Sequence, residues 1–268
     1  MNTKVASLPM YVSNMGAVAQ LWAVVGALMR EQGLVHTPQE LTWPADLHAH
    51  WLNPDLVLSQ ACGYPFIDDL AGKVQLVGCF QYDAAQCEGS VCRSVLIARD
   101  EHASLPLEGF RGLRAAFNSV TSQSGYNAFR DRFAPISMNG NFFGSTLKTG
   151  GHRLSVDAVR TGMADLASID CVTYAGLARY TPEAIAGVSI VGTTAPYPGL
   201  PLITSGNTSA KDLLTMQGVF AALFSNPDAT SVLSDLGIMG FETPPAKIYQ
   251  RCIDMREAAI ALGYPTLA

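Results

Sequence analysis

The sequence predicts an α/β fold made of two lobes, and three observations favour it. Apolar runs of strand length alternate with helix-length segments along all 268 residues, glycine and proline lie at the joints, and long extended segments occur at residues 73–98 and 187–204. Alternating strands and helices are typical of α/β proteins with mostly parallel sheets. A single doubly wound sheet is the alternative.

The two extended segments indicate how the lobes divide the chain. Residues 73–98 hold two strand-like runs around a polar turn, and residues 187–204 are rich in β-branched residues and proline. Two segments that each pass between lobes would form a two-strand hinge. The predicted outer lobe is therefore discontinuous, at 1–85 and 191–268, and the inserted lobe is 86–190.

Each predicted strand is a short apolar run between polar or turn-forming residues, and each predicted helix is a longer run with apolar residues three or four positions apart. The expected strands are Val5–Met10, Leu56–Ser59, Val74–Phe80, Ser94–Ala98, Leu113–Phe117, Leu166–Ile169, Ser189–Val191 and Leu202–Thr204. The expected helices are Met15–Gln32, Tyr126–Phe133, Ser155–Met163, Val172–Arg179, Ala210–Phe224, Ala229–Leu236 and Ala246–Leu262.

Composition narrows the function classes. With 49% hydrophobic and 15% charged residues, the chain can bury a large core. A net charge of −5 with 17 scattered Lys and Arg argues against binding nucleic acid. No run reaches the ~20 apolar residues of a membrane span, so membrane insertion is not expected.

The apolar run Ala17–Leu28 is interpreted as the first helix of a β-α unit and not as an export signal, because Lys4 alone precedes it as a basic residue and Arg30 and Glu31 follow. We therefore expect a periplasmic location if an export signal was removed, and otherwise a cytoplasmic one.

Catalytic and metal signatures are weak. The patterns GxGxxG, GxxxxGK[ST], GxSxG and HExxH are absent, so we predict no cofactor and no catalytic residue. His48 and His50 alone make an incomplete metal site. The six cysteines form no CxxC pair. Cys87 and Cys92 flank a turn-like EGS and would form a disulfide in an oxidising compartment, a pairing that the sequence leaves open.

The strongest candidate site is the stretch FNSVTSQSGYNAFR, residues 117–130, which places hydroxyl residues between a strand and a helix. Such residues commonly cap helices. However, the stretch has more hydroxyl groups, on Thr121, Ser122, Ser124 and their neighbours, than a helix cap uses. The free amides of a helix N-terminus also bind anions. Gly125 would let a ligand approach the backbone. The competing readings are a cap and an anion site.

Four further positions are expected near this turn or opposite it. His152 precedes a helix and Asp170 ends a strand, which places both where ligands bind open α/β sheets. Tyr64, in LSQACGYPF, and Tyr11, just after the first strand, would project from the facing lobe.

The order of several segments resembles a known family. Six segments, in this order, are similar to the phosphate/phosphonate-type solute-binding proteins of ABC importers, in the type II periplasmic-binding-protein superfamily. They are LPMY, LSQACGYPF, RSVLIARDE, LEGFRGLRAAFNSVTSQSGYNAFR, GGHRLSVDAVRTGMADLASIDCVTY and LPLITS. The resemblance implies a two-lobed type II periplasmic-binding-protein-like fold that closes on its ligand. Members that bind phosphonates usually carry S-T-S-G, where Gln123 interrupts the hydroxyl series here.

Carried over by position, the resemblance assigns the anion-binding turn to Thr121, Ser122 and Ser124 and the pocket histidine to His152. Asp170, ahead of Asp165, would receive the ligand's amine or hydroxyl end. An aromatic residue from the first lobe matches Tyr64.

The function implied is non-catalytic binding of a small anionic, phosphate- or phosphonate-like ligand, with an ABC permease as partner. The alternatives are a cytoplasmic ligand sensor and an enzyme on the same fold, like those of thiamine-pyrimidine biosynthesis.

Overall fold

The structure is a computed structural model that describes residues 4–268, so the first three residues of the predicted outer lobe lie outside the described residues. Strands are β1 (Val5–Ser7), β2 (Leu56–Gln60), β3 (Val74–Tyr82), β4 (Cys87–Glu88), β5 (Val91–Cys92), β6 (Val95–Arg99), β7 (Arg114–Phe117), β8 (Ser145–Lys148), β9 (Leu166–Ile169), β10 (Val188–Thr193), β11 (Tyr197–Pro198), β12 (Pro201–Ser205) and β13 (Ile238–Glu242).

The α-helices are α1 (Met15–Glu31), α2 (Leu47–Trp51), α3 (Gly63–Ile67), α4 (Ala128–Phe133), α5 (His152–Arg160), α6 (Cys171–Tyr180), α7 (Ala210–Ala222), α8 (Pro227–Leu236) and α9 (Gln250–Ala261). A π-helical turn spans Gln123–Asn127. Short 3-10 segments are Asp100–His102, Leu107–Phe110, Ala134–Ile136, Pro182–Ile185, Leu223–Ser225 and Ala246–Tyr249.

The chain folds into two compact units. The first contains the chain up to Asp83, Glu88–Ser90 and Gly199–Ile248. Its sheet has the order β1-β2-β12-β3-β13, in which β1 and β2 are parallel and the other pairs are antiparallel. The sheet is thus more mixed than predicted. The reason is topological: β3 precedes the chain's exit from this unit and β12 follows its return.

The second unit contains Ala84–Cys87, Val91–Pro198 and Tyr249–Ala268, with a sheet of order β10-β6-β9-β7-β8. Here β7 is parallel to β8 and β9, whereas β6 is antiparallel to β9 and β10. Parallel neighbours end at the same edge of a sheet. The residues that follow β7 and β9 therefore lie on one edge, which is where the predicted hydroxyl turn and Asp170 belong.

Apolar residues cover both faces of this second sheet. Val95 and Ile97 of β6 belong to one buried cluster, and Leu96 and Ala98 belong to another. Successive side chains of a strand point to opposite faces. A continuous apolar strand is therefore required here, as the sequence run SVLIA predicts.

The C-terminal segment belongs to the second unit, which differs from the predicted boundaries that place residues 249–268 in the outer lobe. The reason is its packing. Tyr264 and Leu267 are buried in the aromatic cluster that contains Phe133. The backbone nitrogen of Leu267 donates to the Tyr126 hydroxyl at 3.3 Å, and the Ala268 carbonyl accepts from the Tyr264 hydroxyl at 2.7 Å.

Cys87 and Cys92, the pair that the sequence leaves open, form a disulfide across the turn between β4 and β5. Cys62, Cys79, Cys171 and Cys252 are buried and are not part of a disulfide.

Most predicted elements are present with ends shifted by a few residues. The sequence-based assignment misses α2, α3, β4, β5, β8, β11 and β13. β8 is a mostly exposed edge strand, so STLK carries no apolar signal. His50, in α2, bonds to the Ser7 hydroxyl at 2.8 Å, and His48 lies 4.0 Å from Asp69, so the two histidines have separate partners.

The aromatic cluster predicts a large loss of stability when it is truncated. Phe133 is fully buried, with ring centroids 4.7 Å from Phe142 and 5.1 Å from Phe143. We expect Phe133→Ala to lower the free energy of unfolding by about 3–5 kcal/mol. Urea unfolding measures it, with the exposed Phe224→Ala as control. Equal losses in the two variants would contradict this account of the core.

Candidate functional site

The hydroxyl turn lies between β7 and α4, and Ser122 begins its helical part. Ser122 Oγ accepts a hydrogen bond from the Gly125 nitrogen at 3.1 Å. The Asn127 nitrogen donates to the Ser122 carbonyl at 3.0 Å, five residues back, which makes the first turn a π-turn. Ser122 is therefore a helix cap, as the simpler reading predicts. The wide first turn leads directly into α4.

Two serines and one histidine converge at this turn. Ser122 Oγ lies 3.5 Å from Ser124 Oγ, which lies 2.9 Å from His152 Nε2. Both serines are buried. The three side chains come from the start of the π-turn and the first residue of α5. We call Ser122, Ser124 and His152 the hydroxyl–imidazole cluster.

Hydrogen bonds from two other segments fix the position of Ser124: Ser94 directly precedes β6, and Ser168 lies in β9. Its carbonyl oxygen accepts from Ser94 Oγ at 3.0 Å and from Ser168 Oγ at 2.7 Å. Ser94 Oγ is also 2.6 Å from the Tyr197 hydroxyl. The sequence reasoning missed these residues. Ser168 carries a signal, since it is a polar residue inside the apolar strand β9.

Gly125 is required by packing against neighbouring side chains. A Cβ atom there would lie 2.1 Å from Asn118 Oδ1 and 3.0 Å from His152 Cε1. The space that the sequence reasoning reserved for a ligand is thus taken by Asn118. This asparagine follows β7, and its Nδ2 is 3.4 Å from His152 Nε2.

The environment of His152 favours the neutral imidazole, which can donate or accept a hydrogen bond. Burial lowers the pKa of its imidazole, and the nearby charge of Asp170 and the backbone of Ser168 oppose this in part. Its Nδ1 is buried and has no hydrogen bond of ordinary geometry, although the Ser168 backbone is near enough to favour the protonated ring. A bound anion would favour the charged form further.

Asp170 ends β9 and caps α6. Its Oδ1 accepts from the nitrogens of Val172 at 2.9 Å and Thr173 at 3.0 Å, and the residue is 5% exposed. Capping satisfies first-turn amides and fixes the carboxylate at the helix end. The negative charge lies close enough to His152 to raise the pKa of the imidazole.

Asp165 has a structural role at the opposite end of β9. Its carboxylate accepts from Arg114 at 2.9 Å through both Nε and Nη2, and from Arg99 at 3.1 Å. These bonds hold the pKa of the Asp165 carboxyl well below its usual range. Its oxygens serve to join β7, β9 and the end of β6.

The remaining predicted residues lie apart from the cluster. Thr121 is exposed, and its Oγ1 is 2.9 Å from Ser119 Oγ. Tyr64, in α3, and Tyr11, after β1, belong to the first unit. The Tyr11 ring packs edge-on against Tyr82 with centroids 5.1 Å apart.

Gln123, which interrupts the hydroxyl series, contacts the C-terminal helix. Its Nε2 is 3.1 Å from Met255 Sδ, and its Oε1 accepts from Asn127 Nδ2 at 2.8 Å. The residue is 2% exposed. Gln123 therefore anchors the turn to α9, a role that the sequence reasoning did not assign to it.

Comparison with known proteins places these features in context. A family model described as ABC transporter, phosphonate, periplasmic substrate-binding protein matches residues 55–249. No curated protein matches the chain. Among the described residues, no helix has the length and apolar character needed to cross a membrane.

Solved structures share the fold at low sequence identity. A binding protein component of an ABC phosphonate transporter from Pseudomonas aeruginosa is 17% identical, with a TM-score of 0.76, covering 97% of this chain and 88% of that one. PhnD1 from Prochlorococcus marinus in complex with methylphosphonate is 14% identical, with a TM-score of 0.75 and coverage of 95% and 96%. XAC2383 from Xanthomonas citri, bound to ATP, is 14% identical, with a TM-score of 0.71 and coverage of 97% and 98%. The predicted type II periplasmic-binding-protein-like fold class is confirmed.

The Asp165 ion pairs predict a pH-dependent contribution to stability. A carboxyl whose pKa is lowered by folding stabilises the protein above its unfolded pKa of about 3.9 and loses this effect as pH falls toward the folded pKa. We expect Asp165→Asn to lower the free energy of unfolding by at least about 1 kcal/mol at neutral pH, with a smaller deficit below about pH 4.

Urea unfolding at several pH values measures this difference. The control is Asp157→Asn, which removes an exposed ion pair with Arg160 and should change stability by less than about 0.5 kcal/mol. A deficit for Asp165→Asn that does not change with pH would show that the charge of Asp165 is not the source of its effect.

Proposed function

The chain belongs to the family of periplasmic substrate-binding proteins of ABC phosphonate transporters, and we propose that it binds a small phosphonate- or phosphate-like anion at the hydroxyl–imidazole cluster. The observation that carries this proposal is the convergence of Ser122 and Ser124, at the start of the π-turn, with His152, at the start of α5. Members of this family are transport components and typically non-enzymatic.

The cluster can supply neutral donors to an anion. Hydroxyl groups rotate to donate to whatever acceptor is present, and hydrogen bonds to a charged oxygen are about twice as strong as neutral ones. The first turn of a helix adds a partial positive charge and amide donors. An anion would thus be held without a lysine or arginine, which fits the scattered cations of this chain.

The relatives support this class of ligand. The Prochlorococcus protein is in complex with methylphosphonate and the Xanthomonas protein is bound to ATP. Both compounds present anionic oxygens on tetrahedral phosphorus. We propose the same chemical group for this chain, attached to an organic portion that Asp170 helps to select, because a carboxylate near the site disfavours a second anionic group and favours an amine.

Binding fits the cluster better than hydrolysis. A serine that acts as a nucleophile needs a histidine that a third group orients through its other ring nitrogen. In this structure His152 Nδ1 has no hydrogen bond of ordinary geometry. The Ser124–His152 contact therefore lacks the support that an activated nucleophile requires.

Tyr11 and Tyr64 are proposed as contributors from the first unit. Tyr11 follows β1 and Tyr64 follows β2, each four residues after its strand ends. These strands are parallel neighbours, so both tyrosines leave the same edge of the sheet. Ligands of open α/β folds bind at such edges.

We extend the proposal to the exposed Thr121, to lobe closure on the ligand, to a periplasmic location and to delivery to an ABC permease.

Removing the two hydroxyls tests the anion site. We expect Ser122→Ala with Ser124→Ala to weaken binding of methylphosphonate by at least about 100-fold, since each of the two hydrogen bonds to a charged group contributes about 1.5–3 kcal/mol. Isothermal titration calorimetry measures the affinity, and ATP serves as a second probe. The control is Ser225→Ala on the exposed surface.

Unchanged affinity in the double variant would leave Ser122 as a helix cap only. Thermal melting of the free variant separates the two effects, because loss of a cap costs about 1 kcal/mol of stability whether or not a ligand is present.

The role of His152 predicts a pH dependence of binding. Because an anion favours the imidazolium, the bound protein has a higher His152 pKa than the free protein, in which burial lowers it. The contribution of His152 to the binding affinity must therefore increase as pH falls through the pKa of His152 in the bound protein. The ratio of wild-type to His152→Gln affinity should rise between about pH 8 and about pH 5.5.

Using this ratio cancels the ligand's own titration, which is common to both proteins. Calorimetry at each pH provides both affinities. A constant ratio over this range would show that the protonation state of His152 is not linked to the ligand.

A further inference from the structure

Three cysteine sulfurs meet at the start of α6. Cys171 Sγ lies 3.4 Å from Cys87 Sγ, and the sulfurs of Cys87, Cys92 and Cys171 are all within 4.8 Å of one another. Cys92 and Cys171 are buried, and Cys87 is partly exposed. The free thiol of Cys171 thus contacts the disulfide that Cys87 and Cys92 form.

The backbone around the three sulfurs is firmly held. The Cys87 nitrogen donates to the Ala84 carbonyl at 2.8 Å, and Cys92 pairs with Tyr197 of β11. Cys171 is fixed as the first residue of α6 by the Asp170 cap. The three ligand-bearing positions are therefore preorganised on separate segments.

The triangular arrangement does not suit thiol–disulfide exchange. Attack on a disulfide requires the incoming sulfur in line with the bond that breaks. An in-line Cys171 would lie ~5.4 Å from Cys92, the sum of the 3.4 Å contact and an S–S bond of ~2.0 Å. The two sulfurs are instead within 4.8 Å. The third thiol is placed beside the disulfide and not behind it.

We propose that, when the disulfide is reduced, Cys87, Cys92 and Cys171 bind one thiophilic divalent cation such as Zn²⁺. Zinc–sulfur bonds of ~2.3 Å place tetrahedral thiolates ~3.8 Å apart. The Cys87–Cys171 contact is already close to this value, and opening the disulfide lets Cys92 reach it. Three thiolates leave a fourth position for solvent.

The surrounding charges favour a cation over a bare thiolate. Burial raises the pKa of the Cys171 thiol, and the charge of Asp170 raises it further, whereas the backbone amides of Arg93 and Val172 oppose the shift. A divalent cation offsets most of the negative charge of three thiolates, which this environment disfavours when the thiolates are bare.

The chemistry balances with a dithiol as reductant. The dithiol gives two electrons and two protons to the Cys87–Cys92 bond and becomes a cyclic disulfide. Binding of the metal then releases the three thiol protons. This inference does not rest on the anion site, and either proposal can fail alone.

Cadmium titration of the full chain tests the site. After reduction by a dithiol and its removal under nitrogen, the wild-type protein should bind one Cd²⁺ with a sulfur-to-metal charge-transfer absorption. The oxidised protein should show neither, since Cys171 is then the only one of the three cysteines that is still a thiol. Competition against a chelator gives the affinity. Loss of an inner ligand in Cys171→Ser should weaken binding by more than the ~100-fold that outer partners cost.

The control is Cys252→Ser, which removes a buried cysteine away from the trio and should leave binding unchanged. Should Cys171→Ser fail to fold, Cys92→Ser removes a ligand without altering α6, and the reduced and oxidised wild-type proteins still give the comparison. Equal binding by the two wild-type forms, no binding by the reduced form, or equal affinity in Cys252→Ser and a trio variant would each overturn the proposal.

Discussion

Two hydroxyl groups inside the second unit determine where the candidate site lies. Ser94 and Ser168 are fully buried, and both donate to the carbonyl oxygen of Ser124. A buried carbonyl without partners is costly, so these bonds select the one path of the turn that brings Ser124 Oγ to His152. In the antiparallel pairing of β6 with β9, Leu96 lies opposite Ser168, so Ser94, two residues before Leu96, lies on the same face as Ser168. The sheet thus determines the path of the hydroxyl turn, and that path determines the position of the hydroxyl–imidazole cluster.

The cap and anion readings of the hydroxyl turn are compatible. Ser122 Oγ accepts from Gly125, which uses one lone pair and leaves its proton to donate. Ser124 Oγ meets an imidazole whose protonation decides which of the two donates. A preorganised set of donors loses little entropy on binding, so small differences in their placement have large effects on affinity. Burial of the turn supplies this order before any ligand arrives.

The sequence predicted the fold well where packing is local. SVLIA and LASI are buried strands because their sheet is covered on both faces, and Tyr126, Phe129 and Phe133 share one core cluster as their spacing indicates. The family match confirms the resemblance seen in the sequence.

Contacts between distant segments were not predictable from the sequence. Leu267 packs near Tyr126, 141 residues earlier, which moves the C-terminus into the second unit. The roles of Gln123 and Asn118 likewise depend on neighbours that only the folded chain supplies.

Asp170 connects the two proposed sites. Its Oδ1 accepts hydrogen bonds from the first amides of α6. Its negative charge acts to raise the pKa of the His152 imidazole and that of the adjacent Cys171 thiol. An anion at the hydroxyl–imidazole cluster is repelled by this carboxylate, and a divalent cation held by the three sulfurs adds to that repulsion, because three thiolates outweigh its two positive charges. Occupancy of either site should therefore disfavour the other by the same factor, since coupling between binding equilibria is reciprocal. The link requires no movement of the backbone, because one fixed charge is common to both environments.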